Sequence, residues 1–190
     1  SPIALTEALQ REVEALGRVE HLVAPSLFHH LFVGAWKEAF PEALVYAPSG
    51  LERKQPHLKV DHLLSYRGEL ASLPWSEEID HVCLEGMPAV REHLFYHRES
   101  QTLIVTDFCF YFEEASGFTK LYLKLNRVFG QLNTPLLFKS VIKDREAFIT
   151  SLKPLTSWEV NKITLCHHAV LSKDAHAQWR GVLSRWLEPL

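Results

Sequence analysis

The chain has 190 residues, of which 47% are hydrophobic and 23% charged, which places it in the globular range with length for one sizeable core. Its formal net charge of −3 supplies no basic field, so neither nucleic acid nor an anionic membrane surface is expected as a partner. No apolar stretch approaches the roughly 20 residues of a membrane helix, and the opening Ser1-Pro2-Ile3-Ala4 is not a basic leader with an apolar core, so a cytoplasmic protein is expected.

In chain order, Thr6 is placed to cap a helix in which Leu9, Val13 and Leu16 share a face, and Gly17 suits the left-handed residue that ends it. Residues 21–25 read as a short buried strand. Helical spacing through Leu31, Ala35 and Ala39 marks residues 30–40, with Pro41 at the stop. Residues 43–47 form the next strand, closed by Pro48-Ser49-Gly50. The stretch 52–75 is richer in charge and holds Pro56, Gly68 and Pro74; it reads as a short helix, a brief strand near Val60 and a loop. Strands follow at 79–84 and 93–97, and Glu99-Ser100-Gln101 turns the second into a buried strand at 102–106. Leu121, Leu125 and Val128 give helical spacing within 117–129, and a helix of acidic opening covers 144–152. Residues 163–166 are a last strand, and a terminal helix from near Asp174 presents Trp179, Leu183 and Trp186 on one face. Irregular alternation with one hairpin, and no repeat or linker, predicts a single layered α/β domain over residues 1–190.

Cys83, Cys109 and Cys166 are an odd number without the paired spacing of a thiolate site, so they read as reduced core residues. Cys166 and His167 are neighbours on a strand and point to opposite faces, which speaks against a thiolate and its base. Trp36, Trp158, Trp179 and Trp186 read as helix-to-sheet packing. Glu85 and Glu92 read as solvated loop carboxylates, with general-base roles as the alternative. His93 and His97 share a strand face as surface or core histidines, with ligand or proton-carrier roles as the alternative. No Gly-rich phosphate loop, dinucleotide fingerprint or Gly-x-Ser-x-Gly elbow occurs, so nucleotide binding and serine hydrolysis lack support. Eleven histidines, with doublets at 29–30 and 167–168, exceed what packing needs and direct attention to metal ligands.

Three segments resemble the metallo-β-lactamase superfamily, in which a strand runs into a His-x-His-x-Asp-His turn ahead of a helix. Pro25-Ser26-Leu27-Phe28-His29-His30 stands in that context. Pro25 and Leu27 replace the first two histidines, His29 replaces the aspartate and His30 matches the last histidine. The run Thr102-Leu103-Ile104-Val105-Thr106-Asp107 resembles the strand that delivers a bridging aspartate. Leu165-Cys166-His167-His168 resembles the segment of the final histidine, with His168 for its glycine. In Glu85-Gly86-Met87-Pro88, Met87 takes the place of the histidine of a Gly-His-Thr-Pro-Gly turn. The wording of residues 23–25, 29–32, 97–98 and 102–107 together is similar to an uncharacterised branch of the superfamily, a domain of unknown function.

The resemblance implies a layered αββα sandwich with mixed sheets, lacking N-terminal strands that usually precede the first helix. An exposed sheet edge, a homodimer covering it, or dependence on further residues follows as an expectation. It also implies that the first metal position has lost its histidines, whereas the second keeps His30, Asp107 and His167 with His29 assisting. One Zn or Fe ion is the expected cofactor and Asp107 the expected catalytic residue. Such an ion could lower the pKa of a water toward about 7 for attack on an ester, amide or thioester of a small-molecule substrate. The same residues also admit a metal-free account, in which His29 caps a helix, His30 packs beneath it and Asp107 accepts backbone hydrogen bonds. The chain is then a non-catalytic relative serving as a binding or assembly module.

Overall fold

The computed structural model describes residues 1–64, 73–167 and 170–188. Gly68, within the stretch read as a loop, and His168, matched to the motif's glycine, lie outside the described residues. The chain divides into two compact units, Ser1–Ser65 and Tyr66–Leu190.

In the first unit, α1 (Glu7–Leu16) starts where the extended Thr6 accepts a hydrogen bond from the Leu9 amide at 3.2 Å. It ends at Gly17, whose φ of 144° lies in the region that favours glycine. Leu9 and Val13 pack on the unit's core, but Leu16 is 90% exposed. The apolar stripe runs past the core in the last turn. β1 (His21–Val23), α2 (Val33–Ala39), β2 (Leu44–Pro48), α3 (Leu51–Lys54) and β3 (His62–Leu64) follow. The strands form a parallel sheet in the order β1-β2-β3. Leu22, Val45 and Ala47 meet Val33 and Trp36 of α2 and Leu51 of α3 in one apolar cluster. The expected strand near Val60 is displaced to residues 62–64. There Asp61, just ahead of β3, accepts from the Val45 amide at 2.9 Å. α2 begins later than the spacing of residues 30–40 suggests, because the Ser26 side chain draws the preceding amides into a turn. Leu31 is consequently exposed.

The second unit carries β4 (Ile79–Cys83), β5 (His93–His97) and β6 (Thr102–Val105) as an antiparallel run, with β7 (Lys162–Leu165) parallel to β6. The hairpin expected at residues 99–101 is present. α4 (Gly117–Leu125), α5 (Arg145–Leu152) and α6 (Ala175–Leu187) complete the unit, with short 3₁₀ turns at Leu136–Val141 and Lys153–Ser157. One face of the sheet presents Leu94, Tyr96, Leu103, Val105 and Ile163 to Phe148 and Leu152 of α5 and to Trp179, Leu183 and Trp186 of α6. The four tryptophans singled out in the sequence are all buried. In α4 the spacing misplaces the inward side: Leu121 and Leu125 are 54% and 64% exposed, whereas Leu123 is 8% exposed. Periodicity shows which residues share a face, and tertiary contact decides which face is covered. Cys83 and Cys109 are buried as expected, but Cys166 is exposed, since it falls in the turn after β7 rather than inside the strand. No helix among the described residues is long and apolar enough to cross a membrane.

Candidate functional site

Asp107 lies two residues beyond the last residue of β6, in a turn held from below by Glu92. Glu92 precedes β5 with the same alternation as Leu94 and Tyr96, so its side chain enters the covered face of the sheet and is 0% exposed. Its Oε1 accepts from the Thr106 amide at 2.8 Å, the Thr106 hydroxyl at 2.7 Å and the Asp107 amide at 3.0 Å. Burial, then the charge of Asp107, pushes the Glu92 pKa up to about 7 against the pull of those hydrogen bonds. The reading of Glu92 as a solvated loop carboxylate is therefore corrected: pairing with the end of β6 encloses it.

His167 reaches the same end of the sheet by register. Val105 of β6 pairs with Leu165 of β7 in parallel, so the residues two further along each strand emerge side by side. Asp107 Oδ1 and His167 Nε2 are 3.9 Å apart. That is too long for a direct hydrogen bond. Two ligands bound tetrahedrally at about 2 Å to one ion would stand about 3.3 Å apart, so a shift of well under 1 Å converts this pair into ligands. The Phe110 ring meets the His167 imidazole edge-on at 5.3 Å. A carboxylate and an imidazole are ordinary ligands for Zn or Fe, so the donor chemistry fits the ion expected from the sequence.

His29 and His30 belong to the first unit. There Ser26 Oγ accepts from the Phe28 and His29 amides at 3.2 and 3.1 Å, and the His30 carbonyl accepts from the Val33 amide at 3.1 Å. Phe32, not His29, occupies the N-cap position of α2, so the capping role considered for His29 does not hold. His30 is buried, and its burial, with the Lys54 charge second, lowers its pKa. Both effects favour the neutral imidazole, the form that binds a metal. Ser26 carries no motif signal, although a serine two and three residues ahead of a turn's amides is a known local device.

His93 is a core residue: it faces His81 with Nδ1 and Nε2 2.5 Å apart and rings stacked at 4.7 Å, one ring N–H donating to the other's nitrogen. Burial brings the His81 pKa down to about 4 and holds His93 well below the usual range. His97 Nδ1 is 2.7 Å from the Ser100 hydroxyl. Met87, at the place of the motif's missing histidine, is buried in the apolar cluster of the second unit.

The family model described as a domain of unknown function, DUF4336, matches residues 1–117, more than half of the chain. The chain belongs to the DUF4336 family. This DUF4336 chain is also similar to solved structures. Against a metallo-β-lactamase from Pontibacter korlensis the identity is 9% and the TM-score 0.57, over 97% of this chain and 77% of that one. Against the chemotaxis sensor ODP, solved as a peroxy diiron species, the values are 13% and 0.58, over 99% and 80%. Against the metallo-β-lactamase FIM-1 from Pseudomonas aeruginosa in its mono-zinc form they are 10% and 0.52, over 95% and 73%. At such identities the likeness concerns the fold: the chain is a mixed α/β protein with the metallo-β-lactamase fold. Among curated proteins none matches the chain by sequence.

Proposed function

We propose that this chain is a metal-dependent hydrolase-like protein holding one Zn or Fe ion through Asp107 and His167 of the second unit. The observation that carries the reading is the Asp107–His167 pair at the common end of β6 and β7, 3.9 Å apart. The mono-zinc form of FIM-1 supports a single ion as a workable state of the fold. When bound, such an ion supplies Lewis acidity toward water and a carbonyl oxygen. Asp107 is the catalytic residue, Glu92 fixes the backbone that delivers it, and His167 is the second donor. The substrate class is a small ester, amide or thioester.

A second reading, a non-catalytic binding or assembly module, is favoured by one observation: Met87 sits in the apolar core where the superfamily motif has a ligand. Metal analysis of protein purified without added metal separates the two. The hydrolase reading expects about one equivalent of Zn or Fe per chain, falling at least tenfold in Asp107→Asn and His167→Ala. Less than about a tenth of an equivalent in the unaltered chain contradicts it and favours the second reading.

A further inference from the structure

Away from the Asp107 turn, the second unit has a cavity of about 320 Å³ whose wall brings together Arg127, Lys139 and Arg185 with one carboxylate, Glu188. The three cations come from three different places. Arg127 follows α4 with a φ of 57°, Lys139 lies on the 3₁₀ turn Leu136–Val141, and Arg185 is in the last turn of α6. Trp186 joins two of these places. Its Nε1 donates to the Thr134 hydroxyl at 3.0 Å, and the Lys139 ammonium lies 5.5 Å from its ring centre. The Arg185 guanidinium is steered by two long contacts of 3.3 Å, to the Leu132 carbonyl and to Asn133 Oδ1. Among the described residues no carboxylate pairs with any of the three cations, and neither Arg127 nor Lys139 donates a side-chain hydrogen bond.

Like charges gathered in a concave site repel one another, and an anion relieves that repulsion. Their concentration at one cavity is conspicuous in a chain whose net charge is −3. We infer that this cavity is a binding site for a small molecule bearing a phosphate group. Among the described residues of the wall, three cations against one carboxylate leave two positive charges in excess. A phosphate monoester carries about −1.5 to −2 at neutral pH and matches that excess, which a monocarboxylate only halves. The two guanidinium groups present planar N–H forks suited to phosphate oxygens, and Lys139 adds a point charge. The volume falls at the lower end of small-ligand cavities. No Gly-rich loop takes part, which is why the sequence carries no phosphate-binding signature. The inference is independent of the metal reading, since it uses none of the proposed ligands.

Calorimetric titration of the full chain, stripped of metal by chelation and dialysis, tests it with inorganic phosphate as the probe and acetate as the comparison. Phosphate is expected to bind with a Kd of about 1 mM or tighter, and acetate at least tenfold more weakly. The double variant Arg127→Ala/Lys139→Ala removes only surface side chains without hydrogen bonds and is expected to lose at least tenfold in phosphate affinity. Glu188→Gln moves the affinity the other way, by roughly threefold, because it deletes the competing carboxylate. Phosphate binding no tighter than acetate, or unchanged affinity in the double variant, overturns the inference.

Discussion

Two backbone amides and a hydroxyl converge on one oxygen of Glu92, so that removing the oxygen leaves three buried donors without an acceptor in the turn that carries Asp107. Glu92→Ala is expected to lower unfolding free energy by about 3 kcal/mol or more, and Glu92→Gln, which retains an acceptor oxygen, by about 1 kcal/mol. Urea denaturation of both variants checks this; equal losses would show that the acceptor is not what matters. The role was partly legible, since Glu92 shares its alternation with Leu94 and Tyr96, but the polar neighbours Arg91 and His93 mask it. The histidines behave similarly. Alternation puts His93 on a strand face, yet its partner His81 lies on another strand, and only the β4–β5 register joins them. Because the folded His81 pKa is about 4, below its ordinary 6.5, the unfolded chain binds the proton first. Stability from this group is full above about pH 6.5 and is lost as pH falls toward 4, on the order of 3 kcal/mol in all. His93 acts in the same direction. His81→Phe should therefore flatten the decline in urea midpoint from pH 7 to pH 4.5, and an unchanged decline would refute the assignment. Glu92, raised instead of lowered, titrates in both proteins and cancels from the comparison.

Among the elements, α1 and α5 were legible because their starts are written locally: Thr6 and Asp144 each accept from the amide three residues on. The interior face of α4 was not, because Leu121 and Leu125 keep perfect helical spacing while pointing to solvent. A helix start also shifts where a side chain fixes the turn before it, as Ser26 fixes the approach to α2. Gly86 belongs to this scale. It stands with φ 75° between β4 and β5, and its carbonyl accepts from the Lys143 and Asp144 amides at the start of α5. A Cβ there would lie 2.1 Å from the Asp144 carbonyl oxygen. Gly86→Ala is expected to cost about 3 kcal/mol by combining a backbone clash with left-handed strain. A calorimetric melting point close to that of the unaltered chain would contradict the close approach.

Over the whole molecule, the α/β class, the central hairpin and the metallo-β-lactamase fold were readable, the last through three motif segments in the right order. The site was less so. Spacing alone cannot bring Asp107 and His167 together, since 60 residues separate Asp107 from His167 and only the parallel β6–β7 pairing aligns them. The resemblance pointed to both residues, and the register gives the physical reason they meet. Each compact unit has its own apolar cluster, so altered site residues can be compared without assuming that a local change unfolds the chain. Anomalous X-ray scattering from crystals of the protein purified without added metal, collected above and below the Zn and Fe edges, tests the central claim most directly. The account predicts one peak within about 2.3 Å of an Asp107 oxygen and a His167 nitrogen. Occupied metal elsewhere, or no peak between these two side chains, would contradict it.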